Sequence, residues 1–245
     1  MKTMNYFKTI LAIFLLSGMS AAVAMPLSNI HKNESVQKET RDVGSFTGIK
    51  VGGAFEVFIK QSGTPGVVVE ADSDILPYIV TEVNGGILKI GMKKSPPHQW
   101  NNVHTLNVYI TVADLNALSL SGAVEITTQS EVKGENLEIE ISGAVEADLN
   151  LNYQKLSMDV SGACEIKLSG QVQEFNIEAS GASELDAFEL NVKDLSLYAS
   201  GACEANVNAS GELKISASGA CDVRYKGGAS VNAHTSGACS VKQAK

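Results

Sequence analysis

Six acids recur at nearly fixed spacing along the second half of the sequence: Glu125, Glu146, Glu165, Glu184, Glu204 and Asp222. Each stands two positions after the alanine of a Ser-Gly-Ala triplet. The triplets begin at Ser121, Ser142, Ser161, Ser180, Ser200, Ser218 and Ser236, and in the seventh copy Ser240 takes the acid's place. Carboxylates repeated in this way either repel one another in solvent or share cations. At about 4.8 Å, the distance between adjacent strands, two of them repel by roughly 0.9 kcal/mol in water. Calcium is the cation an oxygen-only set would take, but it asks for about six to eight oxygens. One carboxylate and a nearby serine per copy supply few, and the Gly-Gly-x-Gly-x-Asp nonapeptide of calcium-binding β-rolls is missing. The expectation is a solvated acidic surface column with no metal site and no resident cofactor, calcium being the one candidate to test.

Cys164, Cys203, Cys221 and Cys239 each directly follow a triplet alanine, a position held elsewhere by Val124, Val145 and Ser183. The shared position explains them as small buried residues. No disulfide is firmly expected. Copies stacked at strand spacing would still bring Cys203 to Cys221, or Cys221 to Cys239, within the Cα separation a bridge needs. Parallel stacked thiols do not converge tetrahedrally, which argues against zinc. A second cluster, His98, Trp100, Asn101 and Asn102, follows Pro96-Pro97 and contains the only tryptophan of the chain. Amphipathic aromatics on loops are common ligand contacts, so these four are candidate ligand-binding residues; the alternative is a long turn whose Trp100 packs on the flank.

No catalytic set emerges. The chain has two arginines, Arg41 and Arg224, and its histidines are scattered at 31, 98, 104 and 234. Neither a Gly-x-Ser-x-Gly elbow, a zinc motif nor a phosphate loop is present. With 19 basic against 27 acidic residues and a net charge of −8, the chain lacks the basic stripe of a nucleic-acid binder.

The elements that must position these residues follow from two periods. The triplets are spaced 18 to 21 residues apart, a period that marks a stacked repeat. Inside each copy the apolar residues alternate. Leu156, Met158, Val160, Gly162, Cys164 and Ile166 lie on one side, and Ser157, Asp159, Ser161, Ala163 and Glu165 on the other. Period two means strands with one buried face. The expected fold class is therefore all-β: a single-stranded β-helix or β-solenoid with coils of about 18–21 residues and an SGA-x-E repeat, glycine forming the corners. Regular copies should fill 118–245. Residues 41–117 carry the unit once more, at Gly53-Ala54-Phe55-Glu56, and 69 residues separate Gly53 from Gly122. That interval predicts three to four less regular coils, or else a separate N-terminal β-domain.

Upstream, Lys2 and Lys8 precede the apolar run Ile10 to Leu16, which gives way to Ala22-Val23-Ala24. This is the pattern of a secretory signal peptide over 1–24, its apolar core being too short to span a membrane. Its removal leaves 17 bases against 27 acids, a charge of −10. Residues 25–40 are polar and unpatterned and read as a flexible leader, with order beginning near Arg41. The expected location is outside the cytoplasm: periplasmic, outer-membrane associated or extracellular, with no transmembrane anchor in the mature chain.

The stretch Arg41-Asp42-Val43, Phe46-Thr47-Gly48-Ile49 and Val51 to Ile59, followed by the Ser-Gly-Ala copies, resembles the head GIN domain of the autotransporter-adhesin family over about 41–241. The resemblance implies an exported, β-helix-like domain with no established catalytic residues. Together with the repeat it predicts a non-catalytic interaction protein, adhesin-like or an envelope scaffold, whose partner is a surface protein or a glycan; the alternative is a glycan-binding or glycan-cleaving β-helix protein. The last copy has Ala233 and Thr235 where earlier copies carry an aliphatic pair, and only Lys242-Gln243-Ala244-Lys245 follow it. An end left this open predicts fraying or self-association through the C-terminal coil.

Overall fold

A computed structural model describes residues 36–93 and 105–244. The described residues are all-β apart from one 3-10 turn, Leu76–Tyr78, and their strands join in one eleven-stranded sheet. In chain order the strands are β1 (Val36–Arg41), β2 (Gly48–Gln61), β3 (Gly66–Asp72), β4 (Ile79–Asn84), β5 (Ile87–Met92), β6 (Leu106–Val112), β7 (Ala117–Thr128), β8 (Val132–Ala209), β9 (Glu212–Lys226), β10 (Ser230–Gly237) and β11 (Ser240–Gln243). β8 is a single extended run of 78 residues that carries four of the triplets, beginning at Ser142, Ser161, Ser180 and Ser200, without leaving the pairing pattern.

Equivalent residues of successive copies lie side by side. β2 pairs parallel with β7, placing Gly53 against Gly122 and Glu56 against Glu125. β7 pairs parallel with β8, Gly122 against Gly143. β8 pairs parallel with β9, Gly201 against Gly219, and β9 with β10, Gly219 against Gly237. The inward rows of β2, β7, β8 and β9 belong to one hydrophobic cluster that continues through Val108 and Ile110 of β6 to Val67 and Val69 of β3. At about 25 cal/mol per Å² of apolar surface removed from water, these rows are the main stabilising contribution.

Two expectations change here. Gly53 and Gly122 are direct neighbours, so the 68 residues between them in sequence do not insert three or four coils between the two copies. β5 and β6 pair parallel with the first and last parts of β2, as one further coil would, and an antiparallel cap covers them: β3 pairs with β6, β1 with β3, and β4 with β5. The cap shares the sheet and the core of the repeats, so it is not a separate domain either. Order also begins before Arg41. Residues 36–41, placed in the leader by their polarity, form strand β1 in register with β3, Val36 against Asp72 and Arg41 against Val67. β1 is almost wholly exposed, so it has no buried face to write an alternating pattern.

The corners depart from strict alternation. In each regular copy the serine, the glycine and the alanine all face outward, as at Ser161, Gly162 and Ala163, between buried Val160 and buried Cys164. The glycines take φ near +100°, for example 111° at Gly162 and 101° at Gly201. They also pack against one another: a Cβ at Gly201 would lie 2.5 Å from the carbonyl oxygen of Gly181, and one at Gly219 would lie 2.5 Å from that of Gly201. Glycine is required twice over, by conformation and by close approach.

Candidate functional site

The serine that opens each of the first four Ser-Gly-Ala corners ties its copy to the one before. The Oγ of Ser121 donates to the carbonyl of Val51 (3.2 Å), Ser142 to Leu120 (3.4 Å), Ser161 to Ile141 (3.3 Å) and Ser180 to Val160 (3.3 Å). Past the glycine, the residue after alanine turns inward and closes the corner. Cys203 and Cys221 donate their thiols to the carbonyls of Ser200 (3.4 Å) and Ser218 (3.3 Å), and the hydroxyl of Ser183 does the same toward Ser180 (3.4 Å). This is why cysteine and serine share a position with valine: the site is small, buried and next to the corner serine's carbonyl, which accepts a weak donor.

All four cysteines are free thiols; Cys164, Cys203 and Cys221 are buried and Cys239 is half-buried. Cys203 lies directly against Cys221. Cys239 follows in the next copy, where its neighbours Gly237 and Ser240 pair with Gly219 and Asp222. Burial raises the pKa of Cys164 and of Cys221, the latter also through the flanking thiols of Cys203 and Cys239. Thiols held protonated in this way are poor nucleophiles and poor metal ligands.

The acidic column is built as one line. Glu56 opposes Glu125, Glu125 opposes Glu146, and Glu204 opposes Asp222. Glu125, Glu146, Glu165 and Glu184 are exposed, whereas Glu204 and Asp222 are half-buried. The difference comes from Arg224, whose guanidinium lies 3.3 Å from Glu204 and 3.7 Å from Asp222. Among the described residues no basic side chain plays that part for Glu125, Glu146, Glu165 or Glu184. Partial desolvation, followed by the charges of Glu125, Glu165 and Asp148, raises the pKa of Glu146 above the usual carboxylate value. Among the described residues no three His, Cys, Asp or Glu side chains are arranged to hold a metal ion.

On the other side of the corner lies a feature the sequence reading did not single out. A groove of about 510 Å³ crosses the copies between two outward rows. One row is the corner serines Ser142, Ser161, Ser180, Ser200 and Ser218. The other, two positions earlier, holds Ser119, Glu140, Asp159, Glu178, Tyr198 and Ser216. Residues two apart on a strand point the same way, so the rows flank a channel running across the strands. Tyr198 is 51% exposed, the most exposed large apolar side chain among the described residues. Glu125, Glu146 and their column do not line the groove. The signal was present in the sequence as a second fixed offset, an acid two positions before the serine. Only the three copies with Glu140, Asp159 and Glu178 carry it, and alternation says which residues face out without saying where the surface is hollow. A second polar depression, near Lys155, Glu174, Glu212 and Lys214, has its charges matched internally by ion pairs of 3.1 Å (Lys155–Glu174) and 3.0 Å (Lys214–Glu212). His98, Trp100, Asn101 and Asn102 lie outside the described residues.

Parallel copies in register, glycine corners and outward rows of hydroxyl and carboxylate define a class of all-β repeat protein that displays regular ladders of side chains. The chain belongs to the head GIN domain family: residues 45–229 match the family model described as "Putative auto-transporter adhesin, head GIN domain". Solved structures share the fold. A protein described as a putative adhesin from Bacteroides fragilis NCTC 9343 superposes with a TM-score of 0.81 at 22% identity, covering 86% of this chain and 98% of that one. A second, also described as a putative adhesin, from Parabacteroides distasonis ATCC 8503, gives 0.68 at 24% identity over 86% and 98%. A third from the same organism, described as a putative lipid binding protein, gives 0.65 at 22% identity over 87% and 98%. No curated protein matches.

Proposed function

We propose that the protein is an exported, non-catalytic adhesion module: a β-solenoid whose stacked copies hold ladders of serine, carboxylate and tyrosine rigidly against a surface partner. The observation that carries this reading is the groove, where at least five copies contribute a hydroxyl from one row and Glu140, Asp159, Glu178 and Tyr198 stand in the other. A site assembled from equivalent positions of consecutive copies suits a ligand that itself repeats, such as a glycan chain. An exposed aromatic flanked by hydrogen-bonding groups is a common way to hold a sugar face. The family, with its adhesin description, supports the same reading, and the pattern over 1–24 supports export. No helix among the described residues is long and apolar enough to cross a membrane. The acidic column takes no resident cofactor in this reading, since one carboxylate per copy falls short of a calcium shell of about six to eight oxygens.

A glycan array and binding to bacterial and host cell surfaces test the proposal, comparing the natural chain with Tyr198→Ala and with the triple change of Glu140, Asp159 and Glu178 to alanine. Loss of a reproducible signal in both variants, at unchanged fold, is the expected result. Turnover of a polysaccharide into defined reducing ends, with or without calcium, would replace adhesion by glycan cleavage. Binding untouched by either variant would move the site off the groove.

A further inference from the structure

We propose that the protein forms a two-fold dimer in which β10 pairs antiparallel with β10 of a second copy. The eleven-stranded sheet runs from β1 at one end to β10 at the other, so among the described residues β10 has a partner, β9, on one side only. Open strand edges invite pairing with another chain and are normally protected by charge, proline or a bulge. The other open edges carry such protection. β1 presents Lys38, Glu39 and Arg41, engaged in ion pairs, β4 carries Glu82, and β11, which like β10 pairs with β9 alone, carries Lys242. β10 reads Ser-Val-Asn-Ala-His-Thr-Ser-Gly: no lysine, arginine, acid or proline. Its eight residues pair with β9 one for one, without a bulge.

The same strand leaves core positions uncovered. Val231, Ala233 and Thr235 continue the rows of Leu213, Ile215 and Ala217, which are buried at 0%, 2% and 3% exposure. All three β10 residues are exposed, Val231 by 38%. An antiparallel pairing centred on Ala233 fits both requirements, because opposed residues must share a face. Ala233 meets its own copy, Val231 meets Thr235 in both directions, and on the outer face Asn232 meets His234. No like charges oppose. Such a contact is the same patch on both partners and closes at two copies. An eight-residue strand per partner makes a contact well below about 1,000 Å², the size of a weak, reversible dimer.

Sedimentation velocity from low to high micromolar concentration, with a cross-linking experiment, tests the proposal. The natural chain should shift reversibly to dimer, and Val231→Lys should weaken association by at least about tenfold while leaving circular dichroism and melting unchanged. In a Cys239→Ser background, Ala233→Cys should form a disulfide-linked dimer under mild oxidation, since opposed Cβ atoms stand about 4.5–5.5 Å apart. Lys38→Cys on β1 should not. A chain that stays monomeric at high concentration, an association indifferent to Val231→Lys, or cross-linking through β1 in place of β10 would each overturn it.

Discussion

Gly201 shows how much a single residue decides in this fold. Its φ of 101° lies where side chains rarely go, and a Cβ there would sit 2.5 Å from the Gly181 carbonyl oxygen. Gly201→Ala should therefore destabilise the protein by about 3 kcal/mol or more, combining strain with backbone displacement. Ala202→Ser, one position on and exposed, should stay within about 0.5 kcal/mol. Denaturant titration of both variants separates the two roles. Glu146 makes the opposite case, a residue whose natural identity costs stability. Its pKa is raised above the 4.5 of a free glutamate, first by desolvation and then by its neighbours' charges. The fold thus disfavours its charged form: the penalty is absent below the unfolded pKa, grows as pH rises through the folded value and is complete at neutrality. Glu146→Gln should stabilise the protein at pH 7 by a few tenths of a kcal/mol, a gain that added salt reduces. Melting curves should show the gain vanish below about pH 4, the region where any glutamate loses its charge.

β1 is the element the sequence hid best, and its attachment is polar. Lys38 pairs with Glu70 (3.5 Å) and lies 4.8 Å above the Tyr109 ring, which stacks on Phe58 at 5.0 Å; the Tyr109 hydroxyl donates to Glu70 at 2.7 Å. The hydrogen bond from Tyr109, then the charge of Lys38, hold the Glu70 carboxyl below its usual pKa. A lowered carboxylate contributes stability above its unfolded pKa and loses it as pH falls through the folded one. Tyr109→Phe should cost about 1 kcal/mol at pH 7, a deficit that shrinks well below pH 4.5 and that hydrogen exchange should localise to β1 and β3. Period two explains what could be read beforehand and what could not. It marked the buried rows of β2, β7, β8 and β9, and with the 18-to-21-residue spacing it placed the acidic and cysteine columns. It cannot tell a parallel neighbour from an antiparallel one, so the interval that predicted three to four coils holds β3, which pairs antiparallel with β6. Nor did it reveal the corner: Val160 and Cys164 are an even number of residues apart, so parity survives while three residues in a row turn outward.

At the scale of the molecule, the sheet is capped by antiparallel strands at one end and grows by repetition toward the other, with each copy held by its immediate neighbours. Stability in such stacks is close to a sum of copies and the contacts between them. The serines mark points where one copy can be exchanged for another: Ser161 bonds to the copy below exactly as Ser180 bonds to Ser161's own copy, through the carbonyls of Ile141 and Val160. Removing residues 161–179 would join Val160 to Ser180 and return every side chain to the face it already occupies. The shortened chain should fold with the same circular dichroism, at somewhat lower melting temperature, whereas removing 161–170 should not, because it takes ten of the 38 residues from Ser142 to Ser180 and leaves 28, outside the 18-to-21-residue spacing at which equivalent positions stack. Gene length in this protein is therefore free to drift in whole-copy steps. Replication errors that would be ruinous in most domains become, here, a means of lengthening or shortening the displayed ladder while its chemistry per step stays the same.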